Sequence, residues 1–260
     1  MKSAITYYGG KQKLVSTILP LFPEHILYSE PFAGGAALLF AKEPSEVEVI
    51  NDLNTELINF YKVIQQDYVS LSQEIKITLH SRKLHSDASV VYNNPHLFNP
   101  LKRAWAVWVL ATQSFASMLD GTWGYDKGKN TTTKKIHNKG VQFTEDYAIR
   151  LQNVQIECSD ALYIIKSRDY DQAFFYCDPP YFNSDCGHYG GYSIHDFERL
   201  LIALSEIRGK FLLSSYPSEI LDQFVRRFGW YQKSVEQRVS VNKGAGKTKI
   251  EVMTANYPIE

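Results

Sequence analysis

The sequence predicts an α/β protein built on an open, doubly wound, mostly parallel sheet. Two observations carry that expectation. Seven short β-like runs alternate with stretches of helical period through most of the chain. Most of those runs are apolar or β-branched rather than strictly alternating, as strands covered on both faces must be. A third observation, the acids, glycines and prolines at the run ends, locates a site, because ligands of such sheets bind beyond the carboxyl ends of the strands.

Taken in order, "ILYSE" is followed by the helical "GGAALLFAKE", and "VEVIND" by "NTELINFYKVIQQ". "NVQIECSD" leads into "DALYIIKSR", "QAFFYCD" precedes "HDFERLLIALSEIR", and "KFLLSSY" precedes "PSEILDQFVRRFG". The last two runs, "SVEQRVSV" and "KIEVMTANY", follow one another without a helix, so at least one is expected to be antiparallel. Residues 67–153 break the alternation. "PLKRAWAVWVLATQSFASML" places Trp105, Trp108, Val109, Thr112, Ala116 and Leu119 on one face of an expected amphipathic helix. The polar, basic "DGTWGYDKGKNTTTKKIHNKG" after it reads as an exposed loop or hairpin. Residues 67–153 are therefore expected to form an inserted, mainly helical lobe within a domain made of 1–66 and 154–260.

Composition narrows the class. The 260 residues carry 28 Lys+Arg and 28 Asp+Glu, so any basic surface must be local. Cys158, Cys177 and Cys186 are odd in number and lack metal-ligand spacing, which predicts reduced thiols in a cytoplasmic protein. No signal peptide opens the chain and no apolar run is long enough to span a membrane, for which about 20 residues are needed. The seven histidines are scattered, so no metal site is expected.

At the first strand end, "SEPFAGGAALL" closes with Glu30 and Pro31 and opens a helix after Gly34 and Gly35, glycines that permit close backbone approach to a ligand. It is neither a dinucleotide fingerprint nor a phosphate loop. Asp52 closes the second run where an acid accepts from ribose hydroxyls, or caps the next helix unless Asn54 does so. Asp160 is a helix cap or a ligand contact. Together these describe a pocket for a nucleoside-containing cofactor. In "YCDPPYF" Asp178 supplies a carboxylate, Pro179 a directed carbonyl and Tyr181 a flat face, a set suited to an amino group that donates both hydrogens from a stacked base.

These motifs resemble those of the D12-class DNA adenine-N6 methyltransferases, the Dam methylase family. "YYGGKQKL", "EPFAGG", "NDLN" and "DPPY" occur in the family's order. The resemblance implies a Rossmann-like, S-adenosylmethionine-dependent fold with a seven-stranded sheet. It implies S-adenosyl-L-methionine as cofactor, with Tyr8, Gly9, Gly10 and Lys11 helping to close its site and Glu30, Phe32, Gly34 and Gly35 forming its loop. Asp52 and Asp160 then lie near its ribose and adenine. Asp178, Pro179, Pro180 and Tyr181 are implied as the catalytic motif, Asp178 also bordering the cofactor. Double-stranded DNA is the implied partner, a cognate restriction endonuclease is a further one, and the chain is expected as a monomer or weak dimer.

DNA contacts are expected from Lys127, Lys129, Asn130, Lys134, Lys135, Asn138 and Lys139 in the basic stretch. Lys243, Lys247 and Lys249, near a turn between the last two strands, are expected to meet phosphates. Other acceptors, among them cytosine N4, an RNA adenine or a glutamine amide, keep the same chemistry. A relative that binds DNA without turnover is a further reading. A nucleotide-hydrolase reading of "NKGAGKTKIE" is disfavoured, because a β-branched run rather than a helix follows it.

Overall fold

The computed structural model describes residues 1–183, 191–238 and 248–259. The chain divides into two compact units. One comprises Met1–Ser16, Gly34–Pro44 and Asp52–Cys158; the other comprises Thr17–Ala33, Ser45–Asn51 and Ser159–Glu260.

The expected strands form. They are β1 (Leu27–Glu30), β2 (Val47–Asn51), β3 (Val154–Glu157), β4 (Ala173–Cys177), β5 (Lys210–Ser215), β6 (Tyr231–Arg238) and β7 (Thr248–Ala255). The sheet order is β3-β2-β1-β4-β5-β7-β6. β1 pairs in parallel with β2 and β4, and β4 with β5, whereas β7 runs antiparallel to both β5 and β6. The antiparallel strand anticipated at the end of the chain is thus β7. β6 begins at Tyr231, upstream of its expected start, and the turn after Arg238 lies outside the described residues.

In the second unit β4 is buried along its whole length because both of its faces carry aromatics. Phe175 and Cys177 point into a cluster with Phe211 and Leu213 of β5 and with Phe197, Leu200 and Leu204 of a helix. Phe174 and Tyr176, one step out of phase, meet Phe22, at 4.7 and 6.1 Å between ring centroids. The helices here are α8 (Ala161–Arg168), α9 (Ile194–Glu206) and α10 (Glu219–Phe228). Strand order reverses between β1 and β4, so the carboxyl ends of these neighbours flank a topological switch point, where α/β sheets bind ligands.

The other unit is helical apart from β3. Preceded in sequence by α1 (Val15–Ile18) and α2 (Ala37–Ala41), its long helices are α3 (Thr55–Ile77), α4 (Arg82–Asn93), α5 (Pro100–Gln113), α6 (Thr132–Gln142) and α7 (Asp146–Leu151). α3 leaves helical geometry at Asp67 and resumes beyond it. Its Glu56 takes a two-pronged bond from Arg103 of α5, at 2.8 and 2.6 Å.

Two expectations for this region need correction. The helix carrying Trp105 is not amphipathic: Ala104 to Ala111 are all buried, because α3 and α4 both pack on it. It also ends at Gln113, short of Ala116 and Leu119. Phe115 N donates to Thr122 O and Gly124 N to Gln113 O, pulling the chain into a narrow loop in which Ala116 adopts φ +54°. The basic stretch, in turn, is a loop only to Thr131, since α6 follows. Asp126 accepts from the backbone N–H groups of Thr131 and Thr132, satisfying donors that a first helical turn leaves open. Ile136 and Gly140, one turn apart, are the buried stripe of this otherwise polar helix.

Candidate active site

The glycine loop belongs to the helical unit. Gly34 lies at φ +46°, and its peptide is held at both ends. Its N–H donates to Asp52 Oδ2 at 2.9 Å, and its carbonyl accepts from the buried Tyr61 hydroxyl at 2.6 Å. The Tyr7 ring covers the loop. A Cβ on Gly34 would stand 3.2 Å from Tyr7 Cδ1, and one on Gly35 would stand 3.1 Å from Tyr7 Cβ. Gly10 is required for a related reason: its N–H donates to Tyr7 O at 3.0 Å, and a Cβ there would meet that oxygen at 2.9 Å. Gly10, Gly34 and Gly35, all singled out from sequence, thus converge on Tyr7, which sequence reasoning passed over for its neighbour Tyr8. Gly9 takes φ +73°, and Lys11, although buried, reaches the Gly9 carbonyl at 3.3 Å.

Asp52 does not cap α3. Asn54 does, accepting from Glu56 N and Leu57 N at 3.1 Å each. The Asp52 carboxylate instead spans Gly34 N and Asn54 N. Burial pushes its pKa up, against the pull of the backbone N–H groups that bind it.

In the sheet unit, Glu30 is buried and accepts from Tyr28 OH at 2.8 Å, while Phe32 packs edge-on to Tyr192. Asn51, fully buried, ties the strand ends together. Its amide donates to Pro31 O and Ser159 O and accepts from Ser159 N, all within 2.9 Å. The sequence holds a signal for it, an amide closing an apolar strand. Asp160 is the exposed N-cap of α8, one oxygen accepting from Leu162 N and Tyr163 N.

Asp178 follows β4 directly. Asp178 and Tyr181 are half-buried and Pro179 is buried. The Tyr181 hydroxyl donates to Asp178 Oδ1 at 3.2 Å and lies 2.9 Å from the hydroxyl of Ser214, which donates to Glu251 at 3.3 Å. Burial, then the charges of Asp178 and Glu251, push the Tyr181 phenol well above its ordinary range, so it stays neutral. Its ring lies 4.4 Å from that of Tyr216. Burial and the Asp178 charge likewise push the Cys177 thiol up, which suppresses thiolate chemistry beside the motif.

Of the expected DNA contacts, Lys127, Lys129 and Asn130 are exposed on the loop, and Lys134, Lys135 and Asn138 are exposed on α6. Lys139 differs: its amine donates to Thr6 Oγ1, and burial plus the nearby Lys135 charge lower its pKa to about 8. Lys243, Lys247 and the side chain of Lys249 lie outside the described residues. The loop borders a cavity of about 310 Å³ beside His80, Trp123 and Tyr125. Trp123 and Tyr125 stack, and the Arg82 guanidinium sits 4.6 Å above the Trp123 ring. These four residues were not singled out from sequence, although "WGY" ahead of a basic run was a visible signal.

A mostly parallel sheet with an antiparallel β7, a glycine loop pinned by an acid, and Asp-Pro-Pro-Tyr at the central strand's end place the chain in the Rossmann-like methyltransferase fold class. The chain belongs to the D12 class N6 adenine-specific DNA methyltransferases, whose family model matches residues 7–238. It is 26% identical over 217 residues to the DNA N-6-adenine-methyltransferase of Escherichia phage P1, covering 76% of this chain and only 26% of that longer protein. It is 26% identical to the type II methyltransferase M1.LlaDCHI of Lactococcus lactis subsp. cremoris, covering 96% of this chain and 93% of the relative. Type II methyltransferase M.MjaIII of Methanocaldococcus jannaschii is 25% identical, with 99% of each chain covered. Among the described residues, no helix is long and apolar enough to cross a membrane.

Proposed function

We propose that this chain transfers a methyl group from S-adenosylmethionine to the N6 amino group of an adenine flipped out of duplex DNA at a specific site. The observation that carries the reading is the Asp178 carboxylate beside the switch point, bonded by the Tyr181 hydroxyl at 3.2 Å, in a chain of this family.

The residues fit the cofactor. Asp52 is fixed by two backbone donors, and a carboxylate's remaining lone pairs can accept from a ribose. The Gly34–Gly35 backbone lacks the Cβ atoms that would collide with Tyr7. Gly34, Gly35 and Asp52 would hold it and Tyr8 to Lys11 would border it; Glu30, Phe32 and Asp160 are assigned to it by the resemblance of their sequence motifs alone. When bound it supplies an electrophilic methyl group.

The chain's own residues do the rest. The target base must leave the duplex, at a cost of a few kcal/mol. Stacking on an aromatic such as Tyr181 returns about 1–3 kcal/mol. Asp178 and the Pro179 carbonyl accept the two amino hydrogens and so aim the nitrogen lone pair. Positioning and fixed charge supply most of the acceleration. Residues 67–153 serve as the target-recognition region of a catalytic domain made of 1–66 and 154–260. Lys127, Lys129, Lys134 and Lys135 meet phosphates there, and Asn130 and Asn138 face base edges. A cognate restriction endonuclease belongs to the same reading.

The test is tritium transfer from labelled cofactor to duplex DNA, structured RNA and protein, followed by analysis of the modified base. Label in N6-methyladenine of duplex DNA is expected. Label confined to RNA, protein or cytosine N4 overturns the reading.

A further inference from the structure

Methylating an amino group creates a proton that must go somewhere. Nitrogen uses its lone pair for the new bond to carbon, and one N–H bond then breaks. That bonding pair stays on nitrogen and a proton leaves. Asp178, which accepts from the amino group on the reading above, is the first base available. Behind it lies a file of oxygens. Asp178 Oδ1 is 3.2 Å from Tyr181 OH, that hydroxyl is 2.9 Å from Ser214 Oγ, and Ser214 Oγ is 3.3 Å from Glu251 Oε2. Ser214 of β5 is fully buried and Glu251 of β7 is nearly so. Both strands are neighbours in the sheet, with Ser214 opposite Met253 and Ser215 opposite Val252.

Counting protons gives the file a direction. Three oxygen–oxygen links need three protons, and Tyr181 and Ser214 own one each. With both carboxylates ionised the file is one proton short, so two oxygens at one link face each other without a hydrogen between them. Adding one proton at Asp178 completes all three links. Three concerted shifts, Asp178 to Tyr181, Tyr181 to Ser214 and Ser214 to Glu251, then restore the Asp178 anion, leave Tyr181 and Ser214 neutral and place the proton on Glu251.

We propose that Asp178, Tyr181, Ser214 and Glu251 form a proton relay, which receives the proton released by adenine N6 and stores it on Glu251 until product leaves. Asp178 is the catalytic residue, and Ser214 and Glu251 act through it. Tyr181 conducts as a neutral phenol, hydrogen by hydrogen, which agrees with the upward pressure on its ionisation. The inference rests on adenine methylation at Asp178.

The test is single-turnover methyl transfer with saturating cofactor and duplex, in light and heavy water, for Tyr181→Phe, Ser214→Ala and Glu251→Gln. Each variant is expected to slow transfer about tenfold, equivalent to about 1.4 kcal/mol. Each also loses the wild-type solvent isotope effect, regains rate with added imidazole as an outside base, and keeps wild-type affinity for DNA and cofactor. Ser214→Thr, which keeps a hydroxyl, restores both rate and isotope effect. Infrared spectra of the product complex provide a readout independent of rate: a protonated-carboxyl band that Glu251→Gln removes. Wild-type rates in Ser214→Ala and Glu251→Gln overturn the relay. So does slowing with an unchanged isotope effect and no rescue, since that pattern means the file only orients Asp178. A wild-type enzyme that does not methylate duplex DNA sinks the proposed function itself, a separate failure.

Discussion

Alanine at position 34 separates two reasons for a glycine in the loop after β1. With φ at +46°, any residue bearing a Cβ loses about 1–2 kcal/mol from left-handed backbone alone. The new Cβ would also stand 3.2 and 3.4 Å from two Tyr7 ring carbons, so the ring must move. Crowding a packed site in this way typically costs about 1–3 kcal/mol. Gly34→Ala is therefore expected to lower folding stability by about 2–5 kcal/mol in urea titrations. In a Tyr7→Ala background the obstacle is gone and only the backbone cost of about 1–2 kcal/mol remains. The difference, a coupling of about 1 kcal/mol or more, belongs to the ring. Ala36, at φ +48° in the same loop, shows that the fold can carry the backbone part by itself. Calorimetric titration should find weaker S-adenosylmethionine binding for Gly34→Ala, because the displaced ring borders the loop. Equal losses in both backgrounds, or a loss below about 0.5 kcal/mol in the first, would refute the argument that Tyr7 dictates the glycine.

Asp178→Ala should abolish transfer with cofactor affinity within a few-fold of wild type; retention of more than about a tenth of turnover refutes its role at the amino group. Lys134→Ala/Lys135→Ala should weaken binding to every duplex and flatten the salt dependence by up to about two phosphate contacts, read from affinities over a salt series. Lys139, with its pKa lowered to about 8, binds fewer protons folded than unfolded above that pH, so its contribution to stability rises with pH. Lys139→Met should therefore gain on wild type as pH falls from about 9.5 to about 7, measured as the difference in urea midpoints. Arg103→Ala leaves the buried Glu56 carboxylate without its two-pronged partner and should cost about 3 kcal/mol in the same titrations, toward the lower end for a broken buried pair because Arg103 is partly exposed.

What could be read from sequence followed from how local each cause is. The strands were legible because β1, β2, β4 and β5 are buried almost throughout, which enriches them in apolar and β-branched residues. α6 was not, because Lys134, Lys135, Asn138 and Lys139 crowd around its two-residue stripe and its N-terminal carboxylate lies in the preceding loop, at Asp126. The end of α5 was misjudged for a different reason. Helical spacing continues through Ala116 and Leu119, and it is the bond from Phe115 N to Thr122 O, closing back across the loop, that stops the helix. The candidate site divides similarly. Asp52, Gly34 and Gly35 announce themselves by position after a strand, but Tyr7 and Tyr61 act on Gly34 from 27 residues away in sequence. Nothing within the "EPFAGG" motif points to either.

The polar residues at the strand ends also explain why a ligand-binding reading and a structural reading of the same side chain are not rivals. Asp52 fixes Gly34 N and Asn54 N, Asp160 fixes the first turn of α8, and Asn51 fixes Pro31 and Ser159. An ionised carboxylate offers about four lone-pair directions, so Asp52 can serve two backbone donors and still accept from a ligand hydroxyl. Those backbone bonds are what make it useful: they set the direction of its remaining lone pairs before a ligand arrives. The burial that raises the Asp52 pKa works against its charge, and each donor that binds it, whether amide or ribose hydroxyl, pulls the other way. On the proposed reading, a ribose hydroxyl donating to Asp52 would favour the same ionised form as the backbone bonds do, and so would strengthen the grip that holds Gly34.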